Sequence, residues 1–97
     1  MQGYLHSLLK YYSFSYNIYV VKVLLFGEAK RILGSDSIQI EFKGSLKALK
    51  DELAMKYPEI SPVLNISAFA VNKEYKNLEY ELKGDETVAV IPPVGGG

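Results

Sequence analysis

The sequence contains no cysteine and no tryptophan, and its single histidine is His6. Without thiols there is no disulfide framework, no thiolate metal site and no cysteine nucleophile. Any sulfur chemistry must therefore run through something other than a side-chain thiol. One histidine makes no metal site, and no Ser–His–Asp set with a credible base can be assembled around it. A charge excess is missing too, since eleven Lys and Arg balance eleven Asp and Glu. No broad field is built to attract nucleic acid or an anionic membrane. The longest apolar run, around Val23 to Phe26, is about five residues, against roughly 20 needed to span a bilayer. The leading residues lack a basic region and are interrupted by Gln2, His6, Lys10 and several serines, so no secretory signal is expected and a cytoplasmic protein is. No glycine-rich loop precedes a helix, and no basic-aromatic platform suits single-stranded nucleic acid.

What remains is one domain's worth of chain, 97 residues with an ordinary hydrophobic share of 48%, enough for a single modest core. Residues 1–19 hold five of the eight tyrosines and only one charged residue, Lys10. They read as an extension, either a partner-facing or self-associating arm or a frayed appendage, with a short helix over Leu5–Tyr12 or a strand over Ser13–Tyr19 as alternatives. The domain proper is placed at 20–94 and a flexible glycine tail at 95–97.

Within the domain, Val20–Phe26 is β-branched and apolar and predicts a central strand. Glu28–Leu33 suits a short helix stopped by Gly34. Ser37–Lys43 alternates, with Ile38, Ile40 and Phe42 on one face, as a half-buried strand does. Ser45 is a good N-cap for a helix whose Leu46, Leu49, Leu53 and Tyr57 form one apolar stripe. Pro58 ends it, and Pro62 argues against its continuation. Ser67–Asn72 predicts a strand, Lys73–Asn77 a polar turn around Tyr75, and Leu78–Leu82 a short helix or strand. Lys83–Glu86 predicts a tight turn with Gly84 free to take positive φ. Thr87–Ile91 predicts a final strand buried on both faces. Glu28, Asp36, Asp85 and Glu86 are taken as turn and surface residues, and Lys47, Lys50, Asp51, Glu52 and Lys56 as a solvated helix face. This order, with one main helix across a mixed sheet of four to five strands, is that of an α+β domain of the β-grasp, or ubiquitin-like, kind.

The chemistry-bearing feature is the end. Pro92 and Pro93 remove two donors and force the chain out of the sheet. Val94 follows, then Gly95, Gly96 and Gly97, a tail without side chains that can thread a narrow tunnel and admit close backbone approach. Ordering it on a partner costs about 1–2 kcal/mol per residue. A carboxylate at Gly97 is a poor electrophile; reaction with ATP would convert it to an acyl-adenylate, and a sulfur nucleophile would then leave a thiocarboxylate. A lysine amine in its place would give an isopeptide.

Taken together, Val21–Gly27, Arg31–Gly34, Ala70–Asn72, Gly84–Glu86 and Pro92–Gly97 resemble the MoaD family, the ThiS-like sulfur-carrying small subunits of molybdopterin synthase. The resemblance covers about residues 20–97, and its most specific part is the Pro-Pro-Val-x-Gly-Gly ending. It implies a non-catalytic subunit of a sulfurtransferase complex in molybdenum cofactor biosynthesis, with no metal and no bound cofactor. It also implies two partners: an ATP-using, E1-like (MoeB-like) adenylyltransferase and a large (MoaE-like) synthase subunit whose active site receives Gly96 and Gly97. There the Gly97 thiocarboxylate would give its sulfur to cyclic pyranopterin monophosphate. By the same resemblance Phe26, Tyr75 and Ile91 contact partners, Ile91 standing where an aromatic often precedes the prolines, while Pro92 to Gly96 seat the tail. Alternatives are a carrier for thiamine or tRNA thiolation, a ubiquitin-like modifier conjugated through Gly97, and a plain interaction module.

Overall fold

The computed structural model describes residues 19–94. Five strands, β1 (Val20–Leu25), β2 (Ser37–Glu41), β3 (Ala68–Val71), β4 (Glu74–Tyr75) and β5 (Thr87–Ile91), form one sheet in the order β2-β1-β5-β3-β4. Three helices accompany it: α1 (Gly27–Leu33), α2 (Leu46–Lys56) and α3 (Ser61–Ile66). β1 and β5 lie side by side and parallel, with Val23 opposite Val88 and Leu25 opposite Val90, while every other pairing is antiparallel. This is the β-grasp arrangement expected from the element order.

The core forms between one face of the sheet and the helices. Val21, Val23, Leu25, Val88 and Val90 from the central strands meet Leu46, Leu49 and Leu53 from α2, all fully buried or nearly so. Each such side chain contributes about 1.5–3 kcal/mol by leaving water. Ser45 caps α2 as expected, its Oγ accepting the Ala48 N–H at 3.1 Å. Gly34 ends α1 in the left-handed region, φ 68°, where glycine carries no Cβ penalty. None of the helices among the described residues is long and apolar enough to cross a membrane.

The structure departs from expectation in six places. After Pro58 the chain does not stay irregular: a 3₁₀ turn, Pro58–Ile60, leads straight into α3, which Pro62 opens from its first turn, where a missing N–H costs nothing. The turn after β3 is also shorter than the Lys73–Asn77 segment suggested. Asn72 and Lys73, at φ 48° and 73°, close a two-residue hairpin whose flanking Val71 and Glu74 pair, so Tyr75 sits on a strand opposite Ala70. Leu78–Leu82 forms neither a helix nor a strand of its own, but makes a single bridge, Glu81 to Ser45. Gly84 is not among the positive-φ residues. Glu86, taken as a surface residue, is buried: its carboxylate accepts the N–H groups of Lys83 at 2.7 Å and Gly84 at 2.8 Å, which holds the turn that Gly84's freedom was expected to provide.

Thr87–Ile91, expected to be buried on both faces, alternates instead. Val88 and Val90 face the core, and Thr87, Ala89 and Ile91 are half-buried on the side the helices leave open. That open face positions the functional site. Tyr19, just ahead of β1, joins the body: its carbonyl accepts the Phe42 N–H at 2.9 Å, and the Lys43 ammonium lies 4.9 Å from its ring centre. The readings of residues 1–18, and of Gly95, Gly96 and Gly97, lie outside the described residues.

Candidate functional site at the chain exit

The site is built where β1 and β5 end together. Because they are parallel, their last residues come out at the same end of the sheet, and each strand there meets a chain break. β1 gives way to Phe26 and Gly27, and β5 to Pro92 and Pro93. Gly27 takes φ 53°, a conformation an L side chain rarely adopts. A Cβ built on it would lie 3.6 Å from Cγ of Pro92, an ordinary van der Waals distance, so the proline ring faces Gly27. Pro92 is buried there, whereas Pro93 and Val94 are exposed, Val94 at 94%. The two prolines thus differ: Pro92 is buried beside the start of α1, whereas Pro93 and Val94 are exposed along the departing chain.

Beside this exit lies a groove on the open sheet face, of about 540 Å³. Period-two geometry explains its lining. Leu24 pairs with Ala89 across β1 and β5, Phe26 and Ile91 extend the same rows, and Tyr75 faces Ala70 across β3 and β4. All six line the groove. Phe26, Tyr75 and Ile91, far apart in sequence, are therefore gathered on one surface, with Phe26 47% and Tyr75 71% exposed. Leu24, Ala70 and Ala89 were not singled out in the sequence, although alternation from Phe26 and Ile91 leads directly to Leu24 and Ala89. Exposed Phe26 and Tyr75 gathered around half-buried Leu24, Ala89 and Ile91 and buried Ala70 make a surface suited to a protein partner.

Charges around the exit are internally paired. Arg31 Nε donates to Glu28 Oε1 at 2.8 Å, and Lys30 Nζ lies 2.8 Å from Asp36 Oδ1. The Arg31 guanidinium holds the Glu28 carboxyl below its usual range, and the Lys30 ammonium does the same for Asp36. Both pairs are exposed and add little to stability. Among the described residues no group of three or more His, Cys, Asp or Glu side chains could hold a metal ion. Among the described residues the site presents an exposed departing chain beside an apolar surface.

The ThiS family matches residues 23–97, from the middle of β1 through the glycine tail. This chain belongs to that family. Its curated relatives refine the assignment. The chain is 38% identical over 81 residues to the molybdopterin synthase sulfur carrier subunit of Dictyostelium discoideum, covering 78% of this chain and 94% of that one. It therefore belongs with the molybdopterin synthase sulfur carrier subunits. Among solved structures it is similar to the complex of subunits 1 and 2 of the molybdopterin-converting factor from Helicobacter pylori, with 29% identity and a TM-score of 0.62 over 80% of this chain and 99% of that one. The fold is shared more widely: small archaeal modifier protein 1 from Methanosarcina acetivorans superposes with a TM-score of 0.71 at 21% identity, covering 82% of this chain and 98% of that one. The ThiS-family match includes the whole exit, so the buried Pro92, the exposed Pro93 and Val94 and the glycines after them all fall within the family's extent.

Proposed function

We propose that this sulfur carrier subunit bears its sulfur on Gly97 and delivers it inside a large synthase subunit. Activation begins at the Gly97 carboxylate, which attacks the α-phosphate of ATP on an E1-like adenylyltransferase, forming an acyl-adenylate and releasing pyrophosphate. A sulfur nucleophile then displaces AMP and leaves the thiocarboxylate. In the large subunit the thiocarboxylate sulfur attacks an oxygen-bearing side-chain carbon of cyclic pyranopterin monophosphate, so that a carbon–sulfur bond forms as that carbon's bond to oxygen breaks and the oxygen group leaves. Water then cleaves the acyl–sulfur bond, which regenerates the carboxylate and leaves the sulfur on the pterin as a thiol. The carrier needs no bound cofactor; ATP is consumed by its activating partner.

The observation that carries this reading is the exit itself. A central strand ends on a buried proline packed against Gly27, and an exposed Pro93 and Val94 lead into glycines, in a chain with no cysteine to hold the sulfur. The apolar groove of Phe26, Tyr75 and Ile91 supplies the surface on which a partner holds the body while the tail is threaded.

Intact mass tests the proposal. After incubation with ATP, a sulfur donor and the cognate activating enzyme, exchange of one carboxylate oxygen for sulfur raises the mass by about 16 Da. Deletion of Gly97 abolishes the gain and leaves the unfolding curve unchanged, because Gly97 carries no side chain to bury. An unchanged mass under conditions that thiolate a control carrier overturns the proposal, and a lysine-linked adduct in its place assigns the chain to protein modification.

A further inference from the structure

A second concavity, of about 810 Å³, lies around the corner from the sheet-face groove, between α1, α3 and the exit. Its walls include Val63 and Ile66 from α3, Phe26 ahead of α1, and Ile91, Pro93 and Val94 from the departing chain. Ile66 is 65% exposed, and with Phe26 and Val94, also exposed and lining the same cleft, it makes a contiguous apolar surface. Phe26 and Ile91 line both concavities, so the two form one apolar band that wraps the end of the sheet with Phe26 as the ridge between them. The charged groups on the rim of the second cleft, Glu28 and Arg31, satisfy each other. The cleft therefore offers no net charge to an ionic ligand and fits an apolar one.

The course of the chain argues for the occupant. Pro93 and Val94 are the last described residues, and they form a wall of this cleft. A protein that encloses the glycines immediately after Val94 must come up against that wall. We infer that the cleft between α1 and α3 is a second anchoring pocket for the large synthase subunit, taking one or two apolar side chains of that partner beside the tail it encloses. The inference rests on the function proposed above. On this arrangement the large subunit grips the exit from two sides, the sheet face through Phe26 and Ile91 and the helical side through Val63 and Ile66. Two-sided contact fixes the direction in which the tail leaves, which a single flat contact would not. α3 is thereby a recognition element as well as a core helix.

Ile66→Asp and Ile66→Ser test the inference, because an exposed position tolerates both without loss of the fold. Met55→Asp is the control, being 80% exposed on α2, outside either concavity. Affinity for the purified large subunit is measured by titration calorimetry with the unmodified carrier, and the thermal midpoint of each variant is recorded. The expected result is a loss of about tenfold or more for Ile66→Asp, a smaller loss for Ile66→Ser, and no change for Met55→Asp. Wild-type affinity in both Ile66 variants overturns the inference, as does an equal loss in Met55→Asp. Failure of the underlying reading has a different appearance: the wild-type carrier then neither binds the large subunit nor gains mass on activation.

Discussion

Glu86 offers the sharpest test of how this small domain holds its last strand. The carboxylate is 6% exposed and accepts two backbone N–H groups, from Lys83 at 2.7 Å and Gly84 at 2.8 Å. Burial pushes its carboxyl up. The N–H groups of Gly84, Lys83 and Glu86 itself, with the Lys83 charge, outweigh that and hold it below the usual carboxylate range. Hydrogen bonds to a charged acceptor are each worth about 1.5–3 kcal/mol. Lys83 and Asp85 are exposed, so water replaces part of what a substitution removes. Glu86→Ala is therefore expected to cost about 3 kcal/mol at neutral pH, a fall in the thermal midpoint of about 12–24 °C. Glu86→Gln keeps one acceptor but turns an NH₂ toward a donor, and should cost about half as much. The contribution is pH-dependent with a definite sign. Because the folded-state pKa lies below the unfolded one, the stabilisation is complete above roughly pH 4.3 and fades as the pH falls through the folded value. Urea unfolding of wild type and Glu86→Ala across a pH series should show a gap that is full at neutral pH and narrows as the solution is made more acidic. A neutral-pH gap below about 0.5 kcal/mol, the size of an ordinary surface change, would refute the reasoning, as would a gap that did not narrow in acid. Below the variant's melting temperature its thiocarboxylation should be unchanged, since the turn lies at the opposite end of β5 from the exit.

Further outcomes follow from the same geometry. Tyr75→Asp places a charge in the sheet-face groove at a side chain that is 71% exposed; large-subunit affinity should fall at least tenfold while stability changes by no more than about 0.5 kcal/mol, as read by titration and urea unfolding. Ser45→Ala removes the acceptor for the Ala48 N–H and should cost about 1 kcal/mol by chemical denaturation, without affecting the mass gain on activation.

Most of the fold was legible because its elements follow strong local rules. Alternation in Ile38, Ile40 and Phe42 gave β2, the three leucines of α2 gave the main helix, and Gly34 marked the end of α1. What is not legible depends on partners distant in sequence, on elements too short to show a period or, at Glu86, on how a short turn folds back onto its own side chain. β4 is two residues long, so no alternation could reveal it, and its place on the open face depends on the tight turn at Asn72 and Lys73. α3 is hidden in the sequence because Pro62 reads as a helix breaker, although proline in the first turn of a new helix is unopposed. Glu86 looked like any acidic turn residue; only the fold aims two amide groups at it. At the site, the prolines and glycines were evident from the sequence, and so were Phe26, Tyr75 and Ile91 by resemblance. The different burial of Pro92 and Pro93 was not, because it depends on Gly27, which is distant in the chain and adjacent only through the parallel pairing of β1 and β5.

That parallel pairing has a practical corollary. The body is entered at one end of β1 and left at the other end of β5, so Tyr19 and the exit sit on opposite rims of the sheet. Six residues of β1 at about 3.3 Å each put roughly 20 Å between them. A fluorophore attached at position 19 would therefore sit at the rim opposite whichever protein receives the tail. Energy transfer from such a label to a dye on the receiving partner would time each hand-over of the carrier, with both ends of the molecule free to work.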